Sequence, residues 1–352
     1  MVESDIIDGL RRLVKGEDVY FPALAELLYR HQCFYLLLQI KPVTKWAVYA
    51  QQILQRHRLI LKKRYEYCES AFHYFAEKCI PYAVIKGAVL SQSAYFDESI
   101  RFSTDLDILV GKESVDLVKP ELERIGFIQG HVENHRLCPY SRKEQAFYTT
   151  STHQLAPFIK KAGEINSFVE VDVNFDVFWG EYVHKTNMAQ LLAYTEVKAV
   201  CGVAVSCLLP EMQLLSLCLH NYKDMNSLYL LLQNKFRLSI FLDLYYLLKN
   251  SSINTMHFVE LCKFFKAQEY VYYCLYYTAL LFPEQDICDL RDRLFSEEGA
   301  RLLNLYGLSE NERKVWHRSF FDRLLFSNYR EELYSTLTDD DWYKIQINRQ
   351  FL

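Results

Sequence analysis

The segment "RFSTDLDILV", residues 101–110, constrains the fold more than any other part of the sequence. Its apolar residues predict a strand, and successive side chains of a strand point to opposite faces. Asp105 and Asp107 therefore share one face, while Leu106 and Ile108 share the other. Two adjacent carboxylates repel each other unless water covers them or a cation lies between them. The segment predicts a strand whose polar face is either solvated or part of a metal site.

A second strand is predicted by "SFVEVDVNF", residues 167–175, in which three valines alternate with Glu170, Asp172 and Asn174. This period of two is typical of a strand with one buried face and one polar face. The polar face of this second strand offers a further carboxylate for the same site.

Helical periodicity dominates both ends of the chain. Apolar residues recur at helical spacing from Ser4 to about residue 79, and again from Glu211 to the C-terminus. Between these regions, "YAVIKG" follows Pro81 as a short apolar strand that ends at Gly87. The sequence therefore predicts a helical region at 1–79, a mixed core at 80–209 and a helical region at 210–352.

Within the mixed core, "ESVDLVKPELERIGF" predicts a helix, and "FIQG" predicts a short strand or turn after it. Residues 131–163 are polar and mixed in charge, which is typical of loops or hairpin strands. "VAVSCLLP" predicts the last strand of the core. Strands and helices thus alternate, which favours an α/β arrangement.

Composition and charge limit the function classes. The chain has 352 residues, of which 51% are hydrophobic and 24% charged, so it is long and apolar enough to bury a large core. Its formal net charge of −4 provides no overall attraction to phosphate backbones, and a nucleic-acid partner is disfavoured.

The N-terminal sequence, the length of the apolar stretches and the cysteine spacing favour a cytoplasmic protein. The N-terminus lacks the apolar core of a secretory signal, and the longest apolar stretch, residues 270–282, is shorter than the roughly 20 residues that span a bilayer. We expect that stretch to form a buried, tyrosine-rich helix. The ten cysteines include no CxxC pair and no Cys/His cluster at zinc-like spacing, so we expect reduced thiols and no structural zinc.

The order "IKGAVL…YF…R…DLDILV" followed by "VDVNF" resembles the nucleotidyltransferase superfamily, which has a polymerase-β-like fold. More narrowly, it is similar to the bacterial uncharacterised nucleotidyltransferases, over about residues 80–180. The resemblance implies an α/β (α+β) fold, with a polymerase-β-like nucleotidyltransferase core built on a small mixed sheet. The N-terminal and C-terminal helical regions would flank this core.

The resemblance also implies roles for individual residues. Asp105, Asp107 and Asp172 would be the catalytic carboxylates and would hold Mg²⁺, or Mn²⁺ in its place, with Asp172 also a candidate base. The nucleotide-binding residues would be Lys86, Gly87, Ala88 and Arg101. Glycine allows close approach of phosphate, and the two cations would neutralise phosphate charge.

The implied reaction moves a nucleotidyl group from a nucleoside triphosphate to a hydroxyl or a similar acceptor. The acceptor would be a small molecule, a peptide or a protein, and natural-product or peptide modification is one use that the resemblance implies. No membrane partner is expected.

Two positions depart from the family pattern. Ala88 follows the turn glycine where serine or glycine is usual, so a hydroxyl donor to phosphate is lost. Asn174 stands where histidine is common in close relatives, and an amide cannot accept a proton at neutral pH. The carboxylates themselves match the pattern.

Several alternatives stay open at this point. Glu170 shares the polar face of Asp172 and could be the third ligand instead. The carboxylate pair could serve transfer of another group, such as a sugar from a sugar nucleotide, or belong to a non-catalytic protein that binds a nucleotide or a partner. The sequence leaves open the roles of four further residues: His153, His220, Arg237 and Asp243.

Overall fold

The computed structural model describes residues 3–19, 22–163, 167–180, 182, 185–326 and 329–351, and the chain forms two compact units. The first unit lies within residues 1–53, 217–249 and 253–352. The second unit lies within residues 54–216 and 250–252. The predicted boundaries near residues 79 and 209 divide the chain into domains, whereas the two units describe only compactness. The predicted domains therefore stay a prediction.

Helices occur throughout the described part of the chain. Their bounds are α1 (Glu3–Val14), α2 (Pro22–Arg30), α3 (Phe34–Gln39), α4 (Lys45–Glu77), α5 (Gly87–Tyr95), α6 (Val115–Arg124), α7 (Arg142–Ser151), α8 (Met188–Leu192), α9 (Pro210–Asn226), α10 (Leu228–Leu232), α11 (Leu238–Asn250), α12 (Thr255–Phe264), α13 (Gln268–Leu281), α14 (Gln285–Arg293), α15 (Glu297–Leu302), α16 (Phe320–Phe326), α17 (Tyr329–Thr336) and α18 (Asp339–Phe351).

The strands belong to one large sheet and one short hairpin. Their bounds are β1 (Tyr82–Ile85), β2 (Leu106–Val110), β3 (Ile128–Glu133), β4 (Arg136–Pro139), β5 (Phe158–Ala162), β6 (Ser167–Asn174), β7 (Thr195–Val200), β8 (Val203–Leu208), β9 (Leu305–Tyr306) and β10 (Lys314–Val315). The large sheet has the order β4-β3-β5-β6-β2-β1-β8-β7, and β9 pairs with β10.

The expectation of a small sheet is wrong, because the mixed sheet of the second unit contains eight strands among the described residues. The additional strands have weak hydrophobic patterns. β5 carries Lys160 and Lys161, and β7 at the sheet edge carries the exposed Val197 among polar neighbours. An edge strand such as β7 needs only one apolar face or none, so alternation does not reveal it, and the two lysines interrupt the apolar pattern of the interior strand β5. The mixed α/β class itself is as predicted.

One face of the sheet is covered by helices. The buried Val169, Val171 and Val173 of β6 belong to an apolar cluster that also contains residues of α4 and α6. Because side chains of a strand alternate, Glu170 and Asp172 point to the opposite face of the sheet. The polar face of β6 is thus available for a site, as the alternation predicts.

Strand pairing sets the position of the acidic residues. β2 runs parallel to β6, and Asp107 is the direct partner of Asp172. β1 runs antiparallel to β2, and Ile85 is the partner of Asp107. The turn that follows β1 therefore begins beside Asp107.

A buried helix in the first unit confirms one sequence prediction. α13 contains the tyrosine-rich stretch, and most of its side chains are buried, including Tyr270, Tyr273 and Tyr277. Among the described residues, none of the helices combines the length and the apolar character that crossing a membrane requires.

Candidate active site

The three predicted carboxylates come together at the centre of the large sheet. Asp107 lies on β2, Asp105 directly precedes that strand, and Asp172 lies opposite Asp107 on β6. Burial and the charge of Asp107 raise the pKa of Asp105. Burial, followed by the charges of Asp105, Glu170 and Asp107, raises the pKa of Asp172 well above its ordinary value. Folding therefore places these acids where their negative charges are costly.

Asp107 is held by two donors on the same oxygen. Lys86 Nζ lies 2.9 Å from Asp107 Oδ1, and Asn174 Nδ2 donates to that oxygen at 3.1 Å. The carboxylate is buried, with 6% of the residue exposed. A buried charge-assisted pair of this length fixes the orientation of the carboxylate. Asn174 thus acts as a hydrogen-bond donor to the buried carboxylate.

The turn between β1 and α5 has an unusual backbone. Lys86 has φ 54° and ψ −144°, and Gly87 has φ 42°. Such a conformation is rare for a residue with a side chain, and strained residues of this kind cluster at functional sites. A Cβ added at Gly87 would meet Ser103 Oγ at 3.6 Å, an ordinary contact. The positive φ, rather than lack of space, therefore favours glycine here.

α5 begins at this turn and presents its first backbone N–H groups there. The N–H groups of the first helical turn have no acceptor within the helix, and an anion is favoured at such an end. Ala88 lies in this turn with its side chain buried. Only its backbone could donate to a phosphate, because alanine has no side-chain donor.

Arg101 lies on the segment between α5 and β2. Its backbone N–H donates to Ser91 Oγ at 2.9 Å. The positive charges of Lys86, Arg64 and Arg101 oppose the rise in the pKa of Asp105, so the arginine charge lies near the carboxylates. Both predicted cations are thus close to the acidic group.

Arg64 is a site residue that sequence reasoning missed. It projects from α4 and donates to the carbonyls of Thr104 at 2.7 Å and Asp105 at 2.8 Å, and to Ser103 Oγ at 3.3 Å. Only 1% of the residue is exposed. A guanidinium group offers several donors in a fixed plane, which suits two successive carbonyls. Arg64 therefore fixes the backbone that carries Asp105.

His57, also on α4, anchors the same segment through two further contacts. The backbone N–H of Ser103 donates to its Nε2 at 3.2 Å, and its Nδ1 lies 3.1 Å from the carbonyl of Ser99. This arrangement requires the neutral ring with the proton on Nδ1. Burial lowers the pKa of His57 to about 4, so the ring is neutral at physiological pH.

The other candidates occupy different surroundings. Glu170 is near enough to raise the pKa of Asp172, so it stays an alternative third ligand. The carbonyl of His153 accepts the N–H of Phe175 at 2.9 Å, next to the end of β6. The role of the His153 side chain stays open.

Three candidates belong to the first unit. His220 Nε2 lies 3.4 Å from Asp224 Oδ2, Arg237 donates to Gln32 Oε1, and Asp243 is buried on α11. The carboxylate group, in contrast, lies entirely within the second unit.

The acidic group fits a divalent cation. Its donor atoms are carboxylate oxygens, which Mg²⁺ and Mn²⁺ prefer. Asp172 Oδ1 is buried and has no hydrogen-bond partner in the described part of the chain. An unpaired buried oxygen is costly, and a bound cation would remove that cost. Asp105, Asp107 and Asp172 are the residues that would hold it.

Comparison with known proteins shows the family of the chain. The search of curated proteins returned no match. Residues 21–283 match the model of a family described as "uncharacterised nucleotidyltransferase". The match covers most of the chain and includes every residue of the acidic group and of the turn before α5. The chain therefore belongs to the uncharacterised nucleotidyltransferase family.

Proposed function

We propose that this chain transfers a nucleotidyl group from a nucleoside triphosphate to a hydroxyl group, and that the reaction depends on Mg²⁺ or Mn²⁺. The supporting observation is the alignment of Asp107 with Asp172 on parallel strands, which leaves a buried oxygen of Asp172 without a partner. Family membership supports nucleotidyltransferase activity in general. The central sheet would act as a polymerase-β-like core.

The reaction forms one bond and breaks one bond. The acceptor oxygen attacks the α-phosphorus, the bond from that phosphorus to the bridging oxygen breaks, and pyrophosphate leaves. When bound by Asp105, Asp107 and Asp172, the cation supplies charge neutralisation at the phosphates and favours ionisation of the acceptor hydroxyl. The Asp172 carboxylate would receive the hydroxyl proton.

The turn before α5 would hold the phosphates. The N–H groups at Gly87 and Ala88 begin the helix and suit an anion, while Lys86 and Arg101 supply positive charge. Lys86 pairs with Asp107. In the proposed complex, Lys86 would contact both the carboxylate and a phosphate.

The acceptor would be a small molecule, or a peptide or protein side chain, that carries a hydroxyl group. Asn174 cannot assist its deprotonation, because its amide donates to Asp107 and has no basic nitrogen. In this chain proton removal would depend on Asp172 alone, and Asn174 would keep Asp107 in place.

Isothermal titration of each of the four nucleoside triphosphates, with Mg²⁺ and with chelator, tests the proposal. We expect one or more triphosphates to bind only with Mg²⁺, and binding to be lost in Asp107→Asn and in Asp172→Asn. Glu170→Gln is the matched control, since it removes a charge from the same face of β6 at a position that we do not assign to the metal. Retained binding in Glu170→Gln supports Asp172 as the third ligand.

Two other outcomes would contradict the proposal. Mg²⁺-dependent binding of sugar nucleotides, with no triphosphate bound, would indicate transfer of a sugar. Folded wild-type protein that binds neither class would favour a non-catalytic binding protein. Circular dichroism of each variant controls for folding.

A further inference from the structure

A second group of metal-ligating side chains lies on the β3–β4 hairpin. One ligand atom each from His131, Glu133 and Cys138 lie within 4.8 Å of one another. These residues are separate from Asp105, Asp107 and Asp172, and nothing in the proposed reaction uses them.

The hairpin places the three side chains on one face. His131 and Cys138 are direct partners in the antiparallel pair, and Glu133 is two residues after His131 on the same strand. Directly opposed residues, and residues two apart, point to the same face of a sheet. Linear spacing does not reveal this set, because the turn brings Cys138 back opposite His131.

The local backbone makes the hairpin tight. Asn134 and His135 have φ 47° and 60°, as the two central residues of a type I′ turn require. A Cβ added at Gly130 would come within 2.4 Å of the Cys138 carbonyl oxygen, so the strands approach closely there. Ligands on a rigid two-stranded element are held near their binding geometry before the metal arrives.

One ring nitrogen of His131 lacks a partner. Nδ1 of His131 is buried, and within the described residues it makes no hydrogen bond. The His131 ring packs beside the ring of Tyr140, with centroids 5.2 Å apart, which restrains its rotation. Cys138 is a free, partly buried thiol, and its Sγ makes a weak 3.9 Å contact with the carbonyl of Arg136. A bound metal would satisfy the nitrogen and use the thiol as thiolate.

The ligand chemistry selects the metal class. Thiolate, imidazole and carboxylate together suit Zn²⁺ and the similar Co²⁺, whereas Mg²⁺ prefers oxygen ligands only. Metal–ligand distances of about 2.0–2.3 Å place neighbouring ligand atoms closer than 4.8 Å, so small side-chain rotations would complete the site. Three protein ligands leave a fourth position for water or for another ligand.

We propose that His131, Glu133 and Cys138 form a second metal site on the β3–β4 hairpin, which binds one Zn²⁺-class ion and keeps an open coordination position. This site is independent of the proposed nucleotidyltransferase reaction, and its test does not depend on that activity.

Cobalt titration of the 352-residue chain tests the proposal, with excess Mg²⁺ present to occupy the carboxylate group. We expect one equivalent of Co²⁺ to produce a thiolate-to-cobalt charge-transfer band together with intense tetrahedral d–d bands. An all-oxygen site produces no thiolate band, so the two sites are distinguishable. Zn²⁺ should abolish the bands by displacing Co²⁺.

Variants assign the ligands. Cys138→Ser should abolish the charge-transfer band, and His131→Gln should weaken Co²⁺ binding at least tenfold. His135→Gln is the matched control, because it removes an exposed histidine from the turn of the same hairpin. No thiolate band in the wild type, or a band that survives in Cys138→Ser, would overturn the proposal. Equal weakening by the control would indicate adventitious surface binding and would also overturn it.

A second measurement uses only the wild-type protein, so misfolding of a variant cannot affect its result. In the wild-type protein, Zn²⁺ should slow alkylation of Cys138, whereas the exposed Cys79 should react at an unchanged rate. Peptide mapping by mass spectrometry reads both thiols in one sample. Unchanged alkylation of Cys138 in the presence of Zn²⁺ would contradict the site.

Discussion

Asp172→Asn should change thermal stability and metal response in opposite directions. The substitution keeps the size of the side chain and removes one negative charge. In the folded protein, burial and the charges of Asp105, Glu170 and Asp107 destabilise the ionised form of Asp172. Because Asp172 Oδ1 has no hydrogen-bond partner among the described residues, the amide loses no hydrogen bond at that atom. The variant should therefore be more stable than the wild type when no divalent cation is present.

The magnitude follows from the general repulsion between like charges. Two like charges about 4 Å apart repel by about 4 kcal/mol at an effective dielectric constant of 20. The raised pKa lets the folded protein keep a proton and so relieves part of that repulsion. We expect a net gain of about 1–3 kcal/mol in the free energy of unfolding. Each kcal/mol should raise Tm by about 2–4 °C in a unit of this size.

The assay is thermal unfolding in chelator and in millimolar Mg²⁺. Wild-type Tm should rise with Mg²⁺, because a ligand that binds only the folded state stabilises it. Asp172→Asn should start from a higher Tm in chelator and gain little from Mg²⁺, while Glu170→Gln should keep the Mg²⁺ response. An Asn variant that melts below the wild type in chelator, or keeps the full Mg²⁺ response, would refute the reasoning.

Three further predictions concern single residues. Arg64→Met should lower the free energy of unfolding by about 2–4 kcal/mol, because two buried carbonyls lose their donor. Urea unfolding would measure this loss, and an unchanged midpoint would exclude the anchoring role. Lys86→Met should raise Mg²⁺ affinity about tenfold, because the ammonium group no longer competes for Asp107, and it should lower triphosphate affinity. Titration calorimetry measures the two affinities separately, and a fall in both would contradict this prediction. Burial, followed by the charges of Arg30 and Arg237, lowers the pKa of His31 from 6.5 to about 3, so the unfolded chain binds more protons between these values. Stability should therefore fall as pH falls below 6.5, by about 1.4 kcal/mol per pH unit, and His31→Gln should remove that contribution; equal slopes in urea unfolding from pH 6.5 to about 4.5 would contradict it.

Strands with strong apolar patterns were predictable from the sequence. β1, β2 and β6 have continuous or alternating apolar residues because they lie in the middle of the sheet and bury one or both faces. The polar faces that carry Asp105, Asp107 and Asp172 could thus be predicted from local patterns. Their assignment to one site with the turn at Gly87 came from the family resemblance and stays a prediction.

The region 131–163 was harder to predict for a physical reason. Its strands β4 and β5 lie toward one edge of the sheet, and its helix α7 has few buried residues. Ser141 and Glu144 form a capping box at the start of α7, and this Ser-x-x-Glu pattern is the signal that could have located the helix. Because β4 and α7 are weakly buried, their sequences show little hydrophobic periodicity.

Residues that act through tertiary contacts were not predictable. Arg64 and His57 are single polar residues in a long helical pattern, and nothing local distinguishes them from solvent-exposed neighbours. Their partners lie about 40 residues later in the chain. Only the packed structure shows that one helix supports the backbone that carries Asp105.

The pairing of Asp107 with Asp172 also has a consequence for folding kinetics. The two residues are far apart in the sequence and meet only when β2 and β6 pair in one register. A shift by one residue would turn Asp172 toward the helix-covered face and would separate the carboxylates. Pairing between distant strands forms late and slowly compared with local helices. If the aspartates bind Mg²⁺, recovery of Mg²⁺ affinity during refolding would time the completion of the central sheet, after helical circular dichroism has returned.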